Sequence, residues 1–340
     1  MDSVGVIGSG AWGTTLALLL AGKGLNTTLW EHRPERAREM QQQRENVTFL
    51  PGFHFPPALN VTVGIEDAVR GKDMLLLVTP SQRMRENLHV LAPHVGEKTL
   101  IVSASKGIEI DTLKRMTEIV EEELPGSHNR VAAFSGPTIS REVAEKKPTA
   151  AVIAAYNQDV AIRARTLLSS TTFRVYTSSD VIGVELGGAL KNIIAIGAGF
   201  NDGMGYGENA KASFITRGLA EISRLGIAAG ANPLTFAGLA GMGDLIATCA
   251  SPLSRNQQVG RRLAAGEKLS DILASMHSVA EGVSTTRAAL QLAAHYNVEM
   301  PITHQLSLVL FEGLNPRLAV PELMMREPKD EMEGISAPDV

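Results

Sequence analysis

A lysine in an apolar, glycine-rich stretch is the residue best suited to proton transfer. Lys191 follows Gly187 and Gly188, which would share its face of a helix, and it precedes Ile194 on the same face. A lysine held partly out of water has a lowered pKa and can exchange a proton near neutral pH. The alternative is a lysine whose apolar stem lies along a buried helix while its ammonium group reaches solvent. Both interpretations stay open.

A single acid, Asp244, follows a second glycine-rich stretch at 238–243. A buried aspartate needs a partner. We predict that this partner is Lys191, because the opposite charge would orient the lysine and adjust its pKa. The alternative is that Asp244 caps a helix, a position that aspartate favours.

Three consecutive polar residues, Ser254, Arg255 and Asn256, form a candidate anion site. The planar guanidinium fork suits phosphate, and the N-terminus of the helix predicted from Asn256 would add to the site. The alternative is a helix cap that faces solvent. Asn192, next to Lys191, could fix a substrate oxygen or serve only a contact between helices.

The segment 8–13 has the spacing G-x-G-x-x-G, and its residues are Gly8, Ser9, Gly10, Ala11, Trp12 and Gly13. A predicted strand precedes it and a helix-forming run follows it, which is the context in which this motif binds a dinucleotide. We expect Gly8 to permit the tight turn, Gly10 to admit a pyrophosphate and Gly13 to let the helix pack on the strand. The alternative is a turn without a ligand.

The second predicted strand is followed by Glu31, His32 and Arg33. At this position an acid favours the ribose 2′-hydroxyl of NAD, and an arginine favours the 2′-phosphate of NADP. His32 and Arg33 lead us to favour NADP slightly. NAD stays open, because Glu31 would repel a phosphate if its side chain pointed inward.

Polar residues also follow two later strands, at the edge where open α/β sheets bind ligands. Lys106 follows the strand at 100–103 and could place a cation beside a phosphate or a polarised carbonyl. Gly136 and Thr138 follow the strand at 131–134 and could offer a close backbone approach and a hydroxyl. Simple turns are the alternative at each position.

The elements that must position these residues fall into two halves. Apolar runs alternate with amphipathic segments up to about residue 180, which predicts a mostly parallel, doubly wound α/β sheet. The predicted strands are 4–7, 27–30, 61–63, 74–78, 100–103, 131–134, 150–155 and 173–176, and the helices between them include 11–21, 34–45 and 112–123. The remainder is predicted to be helical, at 182–199, 210–229, 256–265, 269–276, 284–295 and 303–311. We therefore predict a Rossmann-type domain at 1–180, an all-helical domain at 181–326 and a flexible tail at 327–340.

Composition excludes several classes of protein. The chain has 340 residues, a formal net charge of −4 and a single cysteine, Cys249, which we interpret as structural. One cysteine excludes a disulfide framework and any multi-cysteine metal site, and the slight acidity argues against a nucleic-acid partner. The histidines lack metal-ligand spacing, so we expect no metal. No signal peptide or clear membrane span is recognised, so we expect a cytoplasmic protein without stable membrane insertion.

Together these segments resemble the bacterial-type NAD(P)-dependent glycerol-3-phosphate dehydrogenases. The resemblance runs from Val4 to about Arg326. Its most specific part is an ordered set: Gly-Ala-Leu-Lys-Asn at 188–192, Gly-Leu-Ala-Gly-Met-Gly-Asp-Leu at 238–245 and Ser-Arg-Asn at 254–256. The family implies reversible reduction of dihydroxyacetone phosphate to sn-glycerol 3-phosphate by NADPH or NADH, which supplies phospholipid synthesis.

The resemblance also implies a role for individual positions. Lys191 would be the acid/base that protonates the carbonyl. The implied substrate contacts are Lys106, Gly136, Thr138, Lys191, Asp244, Ser254, Arg255 and Asn256. The implied cofactor contacts, beside the glycine-rich turn, are Trp12, His32, Arg33, Lys106, Ser140, Arg255, Val279 and Glu281. Thr138 stands where serine is common and keeps the hydroxyl, whereas Ser140 stands where alanine is common.

Two other functions are considered. A β-hydroxyacid dehydrogenase would share the glycine-rich turn and a helix-borne lysine, but the segments 238–244 and 254–256 argue against it. A nucleotide sensor would bind NADPH without turnover, yet every polar residue that the chemistry requires is present. The sequence does not decide whether the chain forms a homodimer.

Overall fold

The computed structural model describes residues 2–276 and 278–335, and its contacts divide the chain into two compact units. Unit 1 comprises Met1–Ser105 and Met116–Val181, and unit 2 comprises Lys106–Arg115 and Ile182–Val340. The sequence predicts one domain at 1–180, whereas the contacts of Lys106–Arg115 place this segment in unit 2. That segment is held there because Ile108 is fully buried in the apolar core of unit 2.

A largely parallel sheet forms the centre of unit 1. The strands are β1 (Ser3–Ile7), β2 (Asn26–Trp30), β3 (Glu45–Asn46), β4 (Leu50–His54), β5 (Leu59–Thr62), β6 (Met74–Leu77), β7 (Leu100–Ser103), β8 (Val131–Ser135), β9 (Thr149–Ala154) and β10 (Phe173–Ser178). Eight of them form one sheet in the order β10-β9-β8-β7-β6-β1-β2-β5, and β3 pairs with β4 separately. Only β8 and β9 run antiparallel in the large sheet. The predicted doubly wound α/β sheet is confirmed.

The central strands are apolar because helices cover both faces of the sheet. In β6, Met74 and Leu76 join the core on one face, and Leu75 and Leu77 join the core on the other. A strand that is buried on both faces appears in the sequence as a continuous apolar run, with no alternation of polar and apolar residues. The predicted central strands therefore lie within a residue or two of the observed ones.

Seven α-helices belong to the described part of unit 1. They are α1 (Ala11–Gly22), α2 (Pro34–Gln43), α3 (Ile65–Val69), α4 (Met84–Leu91), α5 (Met116–Glu123), α6 (Ser140–Ala144) and α7 (Gln158–Leu168). The predicted helix at 112–123 begins only at Met116, because Leu113 adopts a left-handed conformation with φ +61°. The predicted helix at 34–45 ends at Gln43, because Arg44 is also left-handed, with φ +52°. The hairpin of β3 and β4 was not predicted.

Unit 2 is helical, as predicted. Its helices are α8 (Val181–Met204), α9 (Glu208–Ala228), α10 (Pro233–Phe236), α11 (Asp244–Ala250), α12 (Arg255–Ala264), α13 (Leu269–Ser275), α14 (Glu281–His295), α15 (Pro301–Phe311) and α16 (Pro316–Met324), with a π-helical turn at Leu239–Gly243. Helix α8 is the core helix, and Leu190, Ile194 and Ala198 are fully buried on it. A buried acid on α9, Glu221, accepts the backbone N–H groups of Ile302 and Thr303 at 2.8 Å and so caps α15.

The predicted tail at 327–340 is described as far as residue 335. Glu299 lies 2.9 Å from Arg326 and 3.3 Å from Lys329, and Arg217 donates a hydrogen bond to the carbonyl of Glu331. Residues 336–340 lie outside the described residues. The flexibility of the tail stays a prediction.

Two helical stretches among the described residues are long and apolar enough to cross a bilayer, Val181–Met204 and Pro233–Ala250. The sequence predicts no clear span, because the apolar run 193–200 in the first stretch lies between Lys191 and Asp202 and is too short. In the first stretch, 89% of the most apolar window is buried inside the protein. A core helix passes the same test of length and composition, so these stretches are weak support for a membrane span.

Candidate active site

The glycine-rich turn connects β1 to α1 in unit 1, as the sequence predicts. Gly8 has φ +115°, and a Cβ there would lie 2.6 Å from the carbonyl oxygen of Val78. A Cβ on Gly13 would lie 1.8 Å from the carbonyl oxygen of Gly8, so α1 begins directly against the end of the strand. A Cβ on Gly10 would meet no atom within 4 Å. The backbone at Gly10, just before α1, is therefore open to close approach, as a phosphate at the N-terminus of this helix would require.

Trp12, in the first turn of α1, adds an aromatic group to this region. Its ring stacks on Phe134 with the ring centroids 6.1 Å apart and an interplanar angle of 17°. Its Nε1 is buried and has no hydrogen-bond partner among the described residues. A buried donor without a partner is costly, and a bound ligand with an acceptor would satisfy it. Together with the space at Gly10, this fits a dinucleotide.

Two buried side chains hold Ser9 within the turn. The hydroxyl of Ser9 donates to the carboxylate of Glu31, and its carbonyl oxygen accepts Nδ2 of Asn46 at 2.8 Å. The same Nδ2 lies 2.8 Å from the hydroxyl of Thr14 on α1. The conformation of the turn is therefore fixed from the end of β2 and from the β3–β4 hairpin. Asn46 was not predicted, since the hairpin that carries it was missed.

Glu31 points inward rather than toward solvent. It is 1% exposed, and its carboxylate accepts the backbone N–H of Arg33 at 2.9 Å. Arg36 lies 2.8 Å from the carboxylate as an ion pair without a well-aligned hydrogen bond, and Nδ1 of His32 lies 3.2 Å away. The sequence analysis did not identify Arg36. Its charge offsets that of Glu31 where the adenosine ribose is expected.

The other predicted site residues of unit 1 follow β8. Gly136 has φ +135°, and a Cβ there would lie 2.9 Å from Cα of Ala151. The hydroxyl of Thr138 lies 3.2 Å from the carbonyl oxygen of Gly136. Ser140 begins α6, and its carbonyl oxygen accepts the hydroxyl of Thr15 at 3.1 Å. The segment thus contains, in the predicted order, a glycine whose backbone conformation disfavours other residues and a threonine hydroxyl.

Lys191, Asp244 and Lys106 form a buried charged cluster in unit 2. Nζ of Lys191 lies 2.7 Å from Oδ1 of Asp244, which confirms the predicted pair, and Nζ of Lys106 lies 2.6 Å from Oδ2. Lys191 also donates to the hydroxyl of Thr248, and that hydroxyl donates to the carbonyl oxygen of Asp244 at 2.6 Å. Two ammonium groups around one carboxylate leave a net positive charge.

Burial lowers the pKa of Lys191 to about 8. The charge of Asp244 opposes this change by favouring the ammonium, and the charge of Lys106 adds to it. Only 8% of the lysine side chain is exposed, so the alternative of a lysine that reaches solvent is wrong. A lysine with this pKa can give and take a proton near neutral pH.

Close packing of small residues brings Asp244 to Lys191. A Cβ on Gly187 of α8 would lie 2.7 Å from the carbonyl oxygen of Ala240, so the helix meets the π-helical turn backbone to backbone. That turn leads directly into α11, whose first residue is Asp244. Thr248 lies one turn later on the same face of α11. The sequence analysis missed Thr248, although its i+4 spacing from Asp244 was a usable signal.

Asn192 and Asn256 link three helices. Nδ2 of Asn256 lies 2.8 Å from Oδ1 of Asn192, and Oδ1 of Asn256 accepts the backbone N–H of Gly282 at 3.0 Å. A Cβ on Gly282 would lie 2.4 Å from the carbonyl oxygen of Asn192. The side-chain amides of both residues therefore use much of their hydrogen-bonding capacity to hold α8, α12 and α14 together.

The predicted anion site begins α12. Ser254 caps this helix, because its hydroxyl accepts the backbone N–H of Gln257 at 3.3 Å. Arg255 is the first helical residue, and one of its guanidinium nitrogens donates to the carbonyl oxygen of Val279 at 2.5 Å. Two residues later Glu281 begins α14. The structure thus brings Arg255 and the stretch that contains Val279 and Glu281 together.

The described residues offer neither a cluster of metal ligands nor a readily ionised thiol. Residues 2–276 and 278–335 contain no group of three or more His, Cys, Asp or Glu side chains that could hold a metal ion. Cys249 is fully buried, and burial raises the pKa of its thiol to about 12. A thiol with this pKa is not a nucleophile at neutral pH.

Comparison with known proteins covers nearly the whole chain. The model described as NAD-dependent glycerol-3-phosphate dehydrogenase N-terminus matches residues 3–161, and its C-terminus counterpart matches residues 180–321. A relative from Geobacter metallireducens, named glycerol-3-phosphate dehydrogenase (NAD(P)+), is 51% identical over 97% of this chain and 99% of its own. The chain belongs to the NAD-dependent glycerol-3-phosphate dehydrogenase family.

The family resemblance extends to solved structures. The glycerol-3-phosphate dehydrogenase of Coxiella burnetii has a TM-score of 0.91 to this chain at 37% identity, covering 96% of this chain and 99% of that one. A further relative of the same name, from Syntrophotalea carbinolica, is 49% identical over 97% of this chain. The N-terminal family model spans 106–115, whereas the contacts of this family member place that segment in unit 2.

Proposed function

We propose that this family member catalyses the reversible reduction of dihydroxyacetone phosphate to sn-glycerol 3-phosphate with NADPH or NADH. The observation that carries the proposal is the buried cluster of Lys191, Asp244 and Lys106 in unit 2. Family membership supplies the substrate class, because the relatives bear the name of this activity.

Lys191 is the proposed proton donor to the ketone oxygen and the acceptor in the reverse direction. An ammonium has three N–H bonds. Two are directed to Asp244 and Thr248, which leaves the third for the substrate oxygen. Negative charge develops on that oxygen during reduction, and the net positive charge of the cluster stabilises it.

The proposed cofactor contacts are centred on the glycine-rich turn. When bound there, the nicotinamide cofactor supplies the hydride for the reduction. Ser9 is already held by Glu31 and Asn46, so the turn is ordered before the cofactor arrives. The proposed contacts are Gly8, Ser9, Gly10, Ala11, Trp12, Gly13, His32, Arg33, Lys106, Ser140, Arg255, Val279 and Glu281.

The remaining proposed contacts are those of the substrate. Its phosphate needs a cation, and Arg255 offers a guanidinium fork beside a helix N-terminus. The proposed set is Lys106, Gly136, Thr138, Lys191, Asp244, Ser254, Arg255 and Asn256. The cytoplasm is the proposed location, as expected from the sequence, and a homodimer stays a proposal that light scattering would test.

The decisive assay follows the loss of NADPH or NADH absorbance when purified protein meets dihydroxyacetone phosphate. Rapid oxidation with formation of sn-glycerol 3-phosphate is expected. An enzyme that ignores this ketone but reduces an unphosphorylated 3-oxo acid would instead be a β-hydroxyacid dehydrogenase. Tight NADPH binding without turnover of either substrate would indicate a sensor.

Removal of the Arg255 guanidinium tests the phosphate contact. An Arg255→Ala variant is expected to raise KM for dihydroxyacetone phosphate by roughly tenfold or more and to lower kcat, because phosphate binding also orients the carbonyl. Unphosphorylated dihydroxyacetone provides the internal reference. Both ketones are assayed at saturating NADPH, so that loss of the proposed cofactor contact of Arg255 does not limit turnover and the reference reaction should hardly change. Arg261→Ala, on the same helix, is the matched control. Equal losses on both ketones would refute the assignment.

Cofactor preference tests the residues after β2. Arg33→Ala is expected to lower the kcat/KM ratio of NADPH to NADH by about tenfold, because a charged hydrogen bond to the 2′-phosphate is lost. Glu31→Gln is expected to raise the same ratio, because a buried negative charge is removed. Because Ser9 bonds to Glu31, the Glu31→Gln change can also disturb the glycine-rich turn. That disturbance affects the binding of both cofactors and therefore cancels in the ratio. Arg38→Ala, which changes an exposed residue of α2, is the control and should leave the ratio unchanged. Shifts of the ratio in the same direction in Arg33→Ala and Glu31→Gln would contradict the prediction.

A further inference from the structure

A short excursion of the chain carries one of the two lysines of the charged cluster. The chain leaves unit 1 after Ser105 and returns to it at Met116, and every residue between, Lys106–Arg115, belongs to unit 2. We refer to Lys106–Arg115 as the strap. Lys106 is its first residue, so the position of that ammonium depends on how the strap is held.

Contacts at the start, middle and end attach the strap to unit 2, and Ile110 and Leu113 also pack against the unit 2 core. At its start, Nζ of Lys106 lies 2.6 Å from Asp244. In its middle, Ile108 is fully buried in the core of unit 2. At its end, Arg115 lies 2.5 Å from the carboxylate of Glu185 on α8, and only 13% and 6% of these two side chains are exposed. An ion pair so well shielded from water is strong and directional.

The strap is also closed on itself, which couples its two ends. Ile108 and Arg115 form an antiparallel β-bridge. The N–H of Glu109 donates to the carbonyl of Lys114 at 3.0 Å, and the N–H of Leu113 donates to the carbonyl of Glu109 at 2.9 Å. Because Ile108 is paired with Arg115, a displacement of Arg115 would be transmitted to the residues next to Lys106.

We propose that Arg115 and Glu185 are positioning residues for the reaction, because their ion pair fixes the strap to the helix that carries Lys191 and so keeps Lys106 on Asp244. The inference rests on the proposed function for the role of the cluster. Glu185 and Lys191 both belong to α8, and Arg115 and Lys106 both belong to the strap. The ion pair therefore joins directly the two elements that contribute the lysines.

The cluster provides a readout that general destabilisation would not change. The charged and titratable groups around Lys191 are Asp244 on α11, Lys106 on the strap and Cys249 on α11. Lys106 lowers the pKa of Lys191, and Asp244 raises it. If the strap loosens, the repulsion from Lys106 weakens and the pKa of Lys191 rises. Reduction needs the protonated lysine, so the fall of kcat/KM at alkaline pH would begin at a higher pH.

The test uses two variants of the full-length enzyme, Glu185→Gln and Arg115→Met. Each is expected to raise KM for dihydroxyacetone phosphate about tenfold, with a smaller loss of kcat. Each is also expected to move the alkaline limb of kcat/KM upward. Glu185→Asp keeps the charge on a shorter side chain, so its KM and its alkaline limb should lie between those of wild type and Glu185→Gln. This variant replaces the other two in the test if they fail to fold.

The matched control is Asp202→Asn, which removes another acid of α8 that pairs with Lys211 at 2.8 Å and Arg261 at 3.2 Å. It should leave KM and the alkaline limb unchanged. Wild-type turnover decides the proposed function separately. The positioning role is overturned if folded Glu185→Gln and Arg115→Met proteins keep the wild-type KM and alkaline limb, because the other contacts of the strap, including the packing of Ile108, would then suffice to hold Lys106.

Discussion

A Lys191→Met variant is expected to lose turnover by roughly 10³-fold or more while it binds NADPH as tightly as wild type. The variant removes the proposed proton donor and one of the two positive charges beside the ketone oxygen. Methionine retains much of the apolar stem of the lysine, so the packing of α8 changes little. The NADPH contacts of the glycine-rich turn lie in unit 1 and do not include Lys191.

Two measurements separate chemistry from binding in this variant. Steady-state assays with saturating dihydroxyacetone phosphate give kcat. Quenching of tryptophan fluorescence gives NADPH affinity, because both tryptophans, Trp12 and Trp30, belong to unit 1. Lys211→Met, which removes a lysine paired with Asp202, is the matched control and should retain activity. A kcat near that of wild type would eliminate Lys191 as the proton donor.

Replacement of Asp244 by asparagine is expected to affect both stability and pH dependence. The acid lies between two lysines and is 2% exposed, so its loss leaves two like charges close together in the interior. Removal of one partner from a buried ion pair costs about 3–5 kcal/mol of unfolding free energy. Urea unfolding of the variant should show a loss of this order.

The pH profile of the same variant has a predictable sign. Asp244 raises the pKa of Lys191 against the effect of burial, so its removal lowers that pKa further below about 8. Reduction depends on the protonated lysine, so the alkaline limb of kcat/KM moves to lower pH, opposite to the shift expected for the strap variants. An unmoved limb in folded Asp244→Asn protein would show that Lys191 does not control the profile. Asp202→Asn again provides the control.

The sequence predicted the sheet well because its central strands are fully buried. Met74–Leu77 and Leu100–Ser103 are short apolar runs, and buried parallel strands need no alternation. Prediction failed where a single residue takes an unusual backbone conformation. Leu113 is left-handed although leucine disfavours it, so the turn at 112–115 had the composition of a helix start.

Only part of the charged cluster could be derived from the sequence. The pairing of Lys191 with Asp244 follows from the cost of burying a lone charge. The contact of Lys106 with Asp244 could not be derived from spacing, because Lys106 follows a strand of the unit 1 sheet and Asp244 lies 138 positions later. The family resemblance alone placed both among the substrate contacts. The inward orientation of Glu31 was equally hidden, since it depends on Ser9 and Arg36.

The strap has a consequence for how this enzyme can be divided or recombined. Because unit 2 takes residues from two separate parts of the chain, no single cut yields both units intact. A fragment that begins at Ile182 would carry Asp244 and Lys191 without Lys106, and the core of unit 2 would lack Ile108. Exchange of whole halves between relatives would pair the strap of one protein with the helices of another.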